Sequence, residues 1–367
     1  MRIVLTGGGT GGHIYPALAI GKYMRQQHQQ TELLYIGTER GLESKIVPDS
    51  NIPFEAIEIT GFRRSISVEN VKTVIRFLKG TQRAKQLLKQ FRAEVVVGTG
   101  GYVCGPVVYA AAKLGIPTFI HEQNAIPGLT NKFLSQYASA VGISFEQSSS
   151  LFPKAKQVSL TGNPCATNVL ETRAGEGLKQ LSLPRDAEMV IMVGGSRGAK
   201  AFNDALLEMA EYLPKLAPLT FVFITGELYY ESTLAKLQAM GVRQSKNLIV
   251  LPYAHQMPAL LRDAKLVISR SGASSLAEMT ALGLPSILIP SPNVTNNHQE
   301  ANARTLVDAG AAELILEKEL SGKKLYATIE RIFTNKDRLS QMSEAARKLA
   351  VPDAALRIDQ ILQAIKR

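Results

Sequence analysis

Twice in this chain a short apolar run passes directly into a cluster of glycines and then into a helical pattern. Ile3–Leu5 enters Gly7-Gly8-Gly9-Thr10-Gly11-Gly12, and Met189–Val193 enters Gly194-Gly195-Ser196-Arg197-Gly198. A strand that must turn at once into a helix needs glycine, because only glycine lets the backbone turn tightly and approach a neighbour closely. Further strand patterns follow each opening. In the first half these are Glu32–Ile36, Glu94–Val97 and Thr118–His121; helical patterns fall at Pro16–Gln27 and Val107–Leu114. In the second half they are Thr220–Thr225, Asn247–Leu251, Leu266–Ser269 and Pro285–Pro290, with a helix at Ala201–Met209. Alternation of this kind predicts an α/β fold with parallel sheets wound by helices. Ligands then bind beyond the carboxyl ends of the strands, where the glycines fall. At roughly 100–200 residues per domain, 367 residues make two domains or three. The polar stretch Arg173–Asp186 reads as a connection, and Pro352–Lys366 as an amphipathic last helix that packs back on the first domain.

Two cysteines, Cys104 and Cys165, cannot make a disulfide framework and fit a reducing compartment. No signal-peptide pattern opens the chain, and no apolar run approaches the roughly 18 residues of a membrane span. Lys and Arg total 42 against 31 Asp and Glu, a net charge of +11. The excess is concentrated. Gly61–Arg92 holds Arg63, Arg64, Lys72, Arg76, Lys79, Arg83, Lys85, Lys89 and Arg92 against Glu69 alone. Such a patch points to a polyanion: nucleic acid, an anionic membrane or a phosphorylated substrate.

Each glycine loop reads either as a phosphate cradle at a helix N-terminus or as a plain tight turn. The first satisfies G-x-G-x-x-G, but the acid that a nicotinamide site wants after the second strand arrives late, at Glu39. The second ends in Ser196 and Arg197, and a hydroxyl beside helix-start amides suits a phosphate oxygen. A third element, Arg270-Ser271-Gly272-Ala273-Ser274-Ser275, again opens a helix, with Glu278 a turn inside it as a ribose partner or a solvated side chain. A fourth, Asn296-Asn297-His298-Gln299 with Asn302, is rich in amides, which suits a sugar or an ordinary polar loop. Of the five histidines, His28 reads as surface, and His121 as structural or catalytic. His13, directly after the first loop, is the preferred general base over a packing role. The chain has no Asp-x-Asp metal clamp, no G-x-x-x-x-G-K-[ST] and no G-x-S-x-G. Leaving-group charge then falls to helix N-termini, amides and Arg or Ser side chains.

In order along the chain come Gly7–His13, Gly100-Gly101-Tyr102, His121-Glu122-Gln123-Asn124, Gly162-Asn163-Pro164, Gly194–Ala199, Arg270–Ala273, Glu278 and Asn297-His298-Gln299. The ordered set resembles the bacterial peptidoglycan N-acetylglucosaminyltransferases of glycosyltransferase family 28, nearly end to end. The resemblance implies a GT-B fold of two Rossmann-like, doubly wound domains with an interdomain cleft. Residues 1–163 with 351–367 form the acceptor- and membrane-facing domain, and 164–350 the donor domain. It implies metal-independent, inverting transfer of GlcNAc from UDP-GlcNAc to the MurNAc C4 hydroxyl of lipid I (undecaprenyl-pyrophosphoryl-MurNAc-pentapeptide), giving lipid II with no cofactor. On the donor side, Ser196 meets the pyrophosphate, Ala273, Ser274 and Ser275 offer amides, Glu278 binds ribose, Ala254 touches uracil, and His298 and Gln299 read the sugar. Thr10, Gly11, Gly12 and Asn124 face the sugar and acceptor phosphate, and His13 is the base. Where relatives carry an arginine after Gly-Asn-Pro, this chain has Cys165 and Ala166, which leaves Arg197 to supply positive charge.

The basic segment fits the same reading. Arg63, Arg64, Lys72, Ile75, Arg76, Phe77, Leu78, Lys79 and Arg83 mix cations with apolar residues, as in an interfacial helix on the cytoplasmic face of an anionic membrane. An ordinary surface helix has the same pattern. A nicotinamide oxidoreductase leaves the later loops unexplained. A nucleic-acid binder wants aromatic platforms that a chain without Trp supplies poorly. A GT-B enzyme with another lipid acceptor, or a UDP-sugar epimerase, is the remaining alternative.

Overall fold

The first apolar run forms β1 (Arg2–Thr6), with Ile3, Val4 and Leu5 wholly buried. Strands apolar along their whole length suit a parallel sheet covered on both faces. The computed structural model describes residues 1–61, 68–195, 198–242, 247–335 and 337–366, with only the backbone of 68–71. It divides into two units: Met1–Cys165 with Asp353–Arg367, and Ala166–Pro352.

In unit 1, β1 is followed by β2 (Glu32–Gly37), β3 (Phe54–Ala56), β4 (Val95–Gly98), β5 (Thr118–Glu122), β6 (Ala140–Ile143) and β7 (Val158–Leu160). All pair in parallel in the order β3-β2-β1-β4-β5-β6-β7. Ile3 is in register with Leu33 on one side and Val95 on the other. Unit 2 repeats the plan with β8 (Met189–Val193), β9 (Thr220–Ile224), β10 (Leu248–Leu251), β11 (Ala264–Ser269), β12 (Ser286–Leu288) and β13 (Ala312–Leu314). Its order is β10-β9-β8-β11-β12-β13. Both sheets reverse direction of growth next to their first strand, between β1 and β4 and between β8 and β11. Such a reversal opens a crevice at the carboxyl ends of the two strands, where doubly wound folds bind ligands.

The helix after the first glycine loop spans Gly11–Gln27, not Pro16–Gln27. Proline favours the first helical turn, but Thr10 at φ −143° and ψ 156° is the residue that starts this helix, and Pro16 lies within it. The last helix, Ala354–Ile365, belongs to unit 1 and buries Ile358 and Leu362 among Ile3, Ile20, Met24 and Phe119. Complete burial of such a side chain contributes about 1.5–3 kcal/mol. His28, expected at the open surface, is half-buried against this helix. Its Nε2 lies 3.0 Å from Asp359 Oδ1, a partner 331 residues away.

Candidate functional site

At the unit 1 reversal the loops after β1 and β4 interlock. Gly8 N donates to Gly100 O at 3.2 Å, and Thr99 Oγ1 donates to His13 O at 2.7 Å and to Thr6 O at 3.2 Å. His13 sits half-buried in the first turn of helix Gly11–Gln27, over Gly100. A Cβ on Gly100 would come within 2.8 Å of the imidazole Cδ2 and 3.0 Å of Nε2, so the ring rests where only glycine leaves room. His13 Nδ1 lies 2.9 Å from Gly8 O. A carbonyl oxygen can only accept, which assigns the proton to Nδ1 and leaves the lone pair on Nε2. That is the tautomer a general base requires. Thr10 Oγ1 is 3.4 Å from the same Nδ1.

Beneath the loop lies Glu43, a residue the sequence reading passed over. It is completely buried. Its Oε2 accepts from Gly9 N at 3.0 Å, and its Oε1 from Thr38 N at 3.0 Å and Thr38 Oγ1 at 2.6 Å. The loop after β2 closes over it so tightly that a Cβ on Gly41 would stand 2.2 Å from Oε1. Glu43 therefore ties the first glycine loop to the loop after β2. Its signal in sequence is only a lone acid downstream of a strand.

The cluster at the end of β5 resolves into scaffold. His121 is fully buried, and burial pushes its imidazole down to about 4, so it is neutral at working pH. Its Nε2 donates to Gly162 O at 2.8 Å, fastening the Gly162-Asn163-Pro164 turn. The buried Glu122 accepts from Asn124 N, Asn124 Nδ2, Gly128 N and Asn131 Nδ2 at 2.9–3.1 Å. Asn124 is thus held at the carboxyl edge of the sheet. Cys104 is no nucleophile, since burial raises its thiol to about 12.

In unit 2 the corresponding edge carries the second set. Helix Ala273–Leu282 starts after Gly272, and the amides of Ala273, Ser274 and Ser275 are among those without an acceptor inside the helix. Glu278, half-buried on this helix, has no hydrogen bond or ion pair among the described residues. Burial raises its carboxyl to about 7. The start of the helix is locked to the next one, His298–Asp308: Ser271 Oγ donates to Gln299 O at 2.7 Å, and Asn302 Nδ2 to Ser271 O at 3.3 Å. Gln299 Oε1 accepts from Ser291 N at 2.8 Å, which leaves its amide NH2 without a partner among the described residues. His298 Nδ1 lies 2.8 Å from Thr295 O, so by the same tautomer argument Nε2 carries the lone pair. Arg270, at the end of β11, pairs with Glu317 and donates to Ile289 O and Pro290 O, a clamp on the β12 end. Ala254 is buried just beyond β10.

Ser196, Arg197, Arg63 and Arg64 lie outside the described residues. Helix Val68–Phe91 exposes Val74, Ile75 and Leu78 (47%, 49% and 62%), with Lys72 and Lys79 exposed beside them. Phe77, expected on the lipid-facing side, turns inward instead and packs on Tyr109 and Phe133 at ring separations of 5.9 and 6.4 Å. An amphipathic helix buries one face, and here the face opposite Ile75 and Leu78 packs against the neighbouring helices Cys104–Lys113 and Leu129–Ser135. Arg76 and Arg83 are paired with Glu58 and Glu55 at 3.1 and 3.3 Å.

Two doubly wound units, each with a glycine loop at its strand-order reversal, define a chain of GT-B architecture. Residues 3–143 match the glycosyltransferase family 28 N-terminal domain and residues 189–358 its C-terminal domain; the chain belongs to glycosyltransferase family 28. It is 51% identical over 367 residues, the full length of both chains, to the UDP-N-acetylglucosamine--N-acetylmuramyl-(pentapeptide) pyrophosphoryl-undecaprenol N-acetylglucosamine transferase of Bacillus subtilis (strain 168). The Halalkalibacterium halodurans protein of the same name is 52% identical over the full length of both. Among solved structures, Acinetobacter baumannii MurG superposes with a TM-score of 0.78 at 31% identity, covering 99% of each chain. A putative UDP-N-acetylglucosamine 2-epimerase from Listeria monocytogenes reaches 0.73 at 13% identity over 99% of this chain and 96% of its own, a likeness of fold alone.

Two outcomes follow from the carboxyls. Glu43→Gln keeps the shape but turns an amide NH2 toward a backbone N–H. Unit 1 should lose about 1.5–3 kcal/mol, measured by denaturant unfolding; an unchanged midpoint would show that the carboxylate pins nothing. Glu278 is raised from 4.5 to about 7, so the native state binds more protons than the unfolded one between those values. Stability therefore falls as pH rises through that window. Glu278→Gln should raise Tm at pH 8, by roughly 2–4 °C for each kcal/mol recovered, and change little at pH 4. Equal shifts at both pH values would contradict the assignment.

Proposed function

We propose that this chain transfers GlcNAc from UDP-GlcNAc to the C4 hydroxyl of the MurNAc unit of lipid I, with inversion and without a metal, giving lipid II. Two full-length relatives at about half identity carry names for this transfer, and that supports the reading most strongly. The chemistry fits the residues. His13 Nε2 takes the proton of the acceptor hydroxyl as its oxygen attacks the anomeric carbon from the face opposite UDP. The new C–O bond forms as the bond to the β-phosphate oxygen breaks, and UDP departs with the electron pair. Negative charge developing there is met by the amides that open helix Ala273–Leu282, a task the sequence also assigns to Ser196 and Arg197. The ionised Glu278 accepts from the ribose hydroxyls, so UDP affinity weakens as pH falls below about 7. His298 and the free amide of Gln299 read the GlcNAc hydroxyls, and Ala254 lies against uracil. On the acceptor side, Thr10, Gly11, Gly12 and Asn124 border sugar and phosphate.

The acceptor is lipid-linked, and no helix among the described residues is long and apolar enough to cross a membrane. The exposed Val74, Ile75 and Leu78 among Lys72 and Lys79 form a face suited to lying on the anionic cytoplasmic leaflet, each nearby cation adding about 1 kcal/mol. The partners of this reading are UDP-GlcNAc, lipid I and an anionic membrane surface, and not nucleic acid.

UDP release from UDP-GlcNAc, assayed with lipid I in EDTA, tests the chemistry. His13→Ala should lower kcat roughly 10²–10⁴-fold with UDP affinity retained. Activity that vanishes in EDTA, or a mutant as fast as wild type, would refute the mechanism. In sedimentation with vesicles, Ile75→Glu with Leu78→Glu should abolish binding to anionic lipid; binding indifferent to these changes and to lipid charge would remove the membrane face.

A further inference from the structure

Unit 1 contains a cavity of about 600 Å³ that the transfer chemistry leaves unused. It opens at the carboxyl ends of β2 and β3 and is lined by Thr38, Glu39, Arg40, Glu58, Arg76 and Tyr102, with the buried Ile57 and Ile59 on its wall. Its size is that of a ligand site, and its lining is polar with both signs of charge. Arg76 is committed to Glu58 and to Thr60 Oγ1, at 3.1 and 3.2 Å. Arg40 and Glu39 are exposed and have no hydrogen bond or ion pair among the described residues.

The cavity is joined to the His13 loop by two rigid links. Tyr102, which follows the Gly100 that supports His13, forms one wall; its ring stands 3.9 Å from where a Cβ on Gly9 would lie. Glu43 holds Gly9 N with one carboxyl oxygen and the cavity residue Thr38 with the other. A ligand seated beside His13 therefore has this recess as its neighbour on the β2 side.

We infer that the cavity is a subsite for the peptide of the acceptor, with Arg40 reading a peptide carboxylate. The inference rests on the lipid I reading above. In a muramyl sugar the peptide hangs from the lactyl ether on C3, next to the C4 hydroxyl that reacts. The pyrophosphate leaves from C1, across the ring. With the C4 hydroxyl at His13, the peptide must start within a side chain's length of that imidazole, apart from the lipid. A polar recess of mixed charge suits amides and carboxylates and offers little to a polyprenyl chain.

The test compares two lipid-linked muramyl acceptors, one with the pentapeptide and one with its lactyl carboxyl capped as a simple amide. For Arg40→Glu, KM for the peptide-bearing acceptor should rise roughly tenfold. KM for the capped acceptor and for UDP-GlcNAc should stay at the wild-type values, and Arg40→Ala should show the same pattern at smaller size. Equal rises for both acceptors would make Arg40 a phosphate or membrane contact and overturn the subsite. So would wild-type kinetics in both variants, with the transferase reading left intact. If the wild type uses neither acceptor yet binds UDP, the lipid I reading itself falls, and the subsite with it.

Discussion

A parallel strand ends on the side of the sheet opposite to where the next one must begin, so the chain has to cross back after every strand. All turns that follow strands therefore collect on one edge. Where the order of strands reverses, two such turns diverge to opposite faces and leave a gap between them. In unit 1 the gap lies between β1 and β4, and its walls are the glycine loops that meet at Gly8 and Gly100. The position of His13, the orientation of its ring and the burial of Glu43 below are consequences of closing that gap with the least possible side chain.

Both units obey this rule but furnish the gap differently. Unit 1 presents an imidazole fixed by a backbone carbonyl, a group that handles protons. Unit 2 presents helix-start amides and, among the described residues, a carboxyl with no partner and an amide with a spare NH2, groups whose chemistry suits phosphate and hydroxyls. The unpartnered Glu278 is unfavourable to the resting protein, and its raised carboxyl shows it.

Legibility in the sequence followed the length and apolarity of each element. β1, β2, β4, β5 and the central strands of unit 2 are visible as apolar runs. β3, β6, β7 and β13 are three or four residues each, and segments such as Phe54-Glu55-Ala56 are too short for a period to emerge. The glycine loops and His13 stand out because glycine clusters are rare outside tight turns. Glu43 does not, because its partners are backbone amides of two loops, which no side-chain pattern reports. Phe77 and His28 misled for a related reason. A helix's sequence shows that it has two faces, but only the neighbours decide which one is covered, and Asp359 lies 331 residues from His28.

The last helix gives the chain an order of completion. Residues 353–367 supply part of the unit 1 core, so unit 2 is connected as an insertion within unit 1. A ribosome makes β1 first, yet the surface of Ile3, Ile20 and Met24 that Ile358 and Leu362 cover stays open while all of unit 2 is synthesised. Unit 2 has its whole sequence available while unit 1 still lacks its last helix. The domain begun first is finished last, and until then it carries a bare apolar stripe over Ile3, Ile20 and Met24.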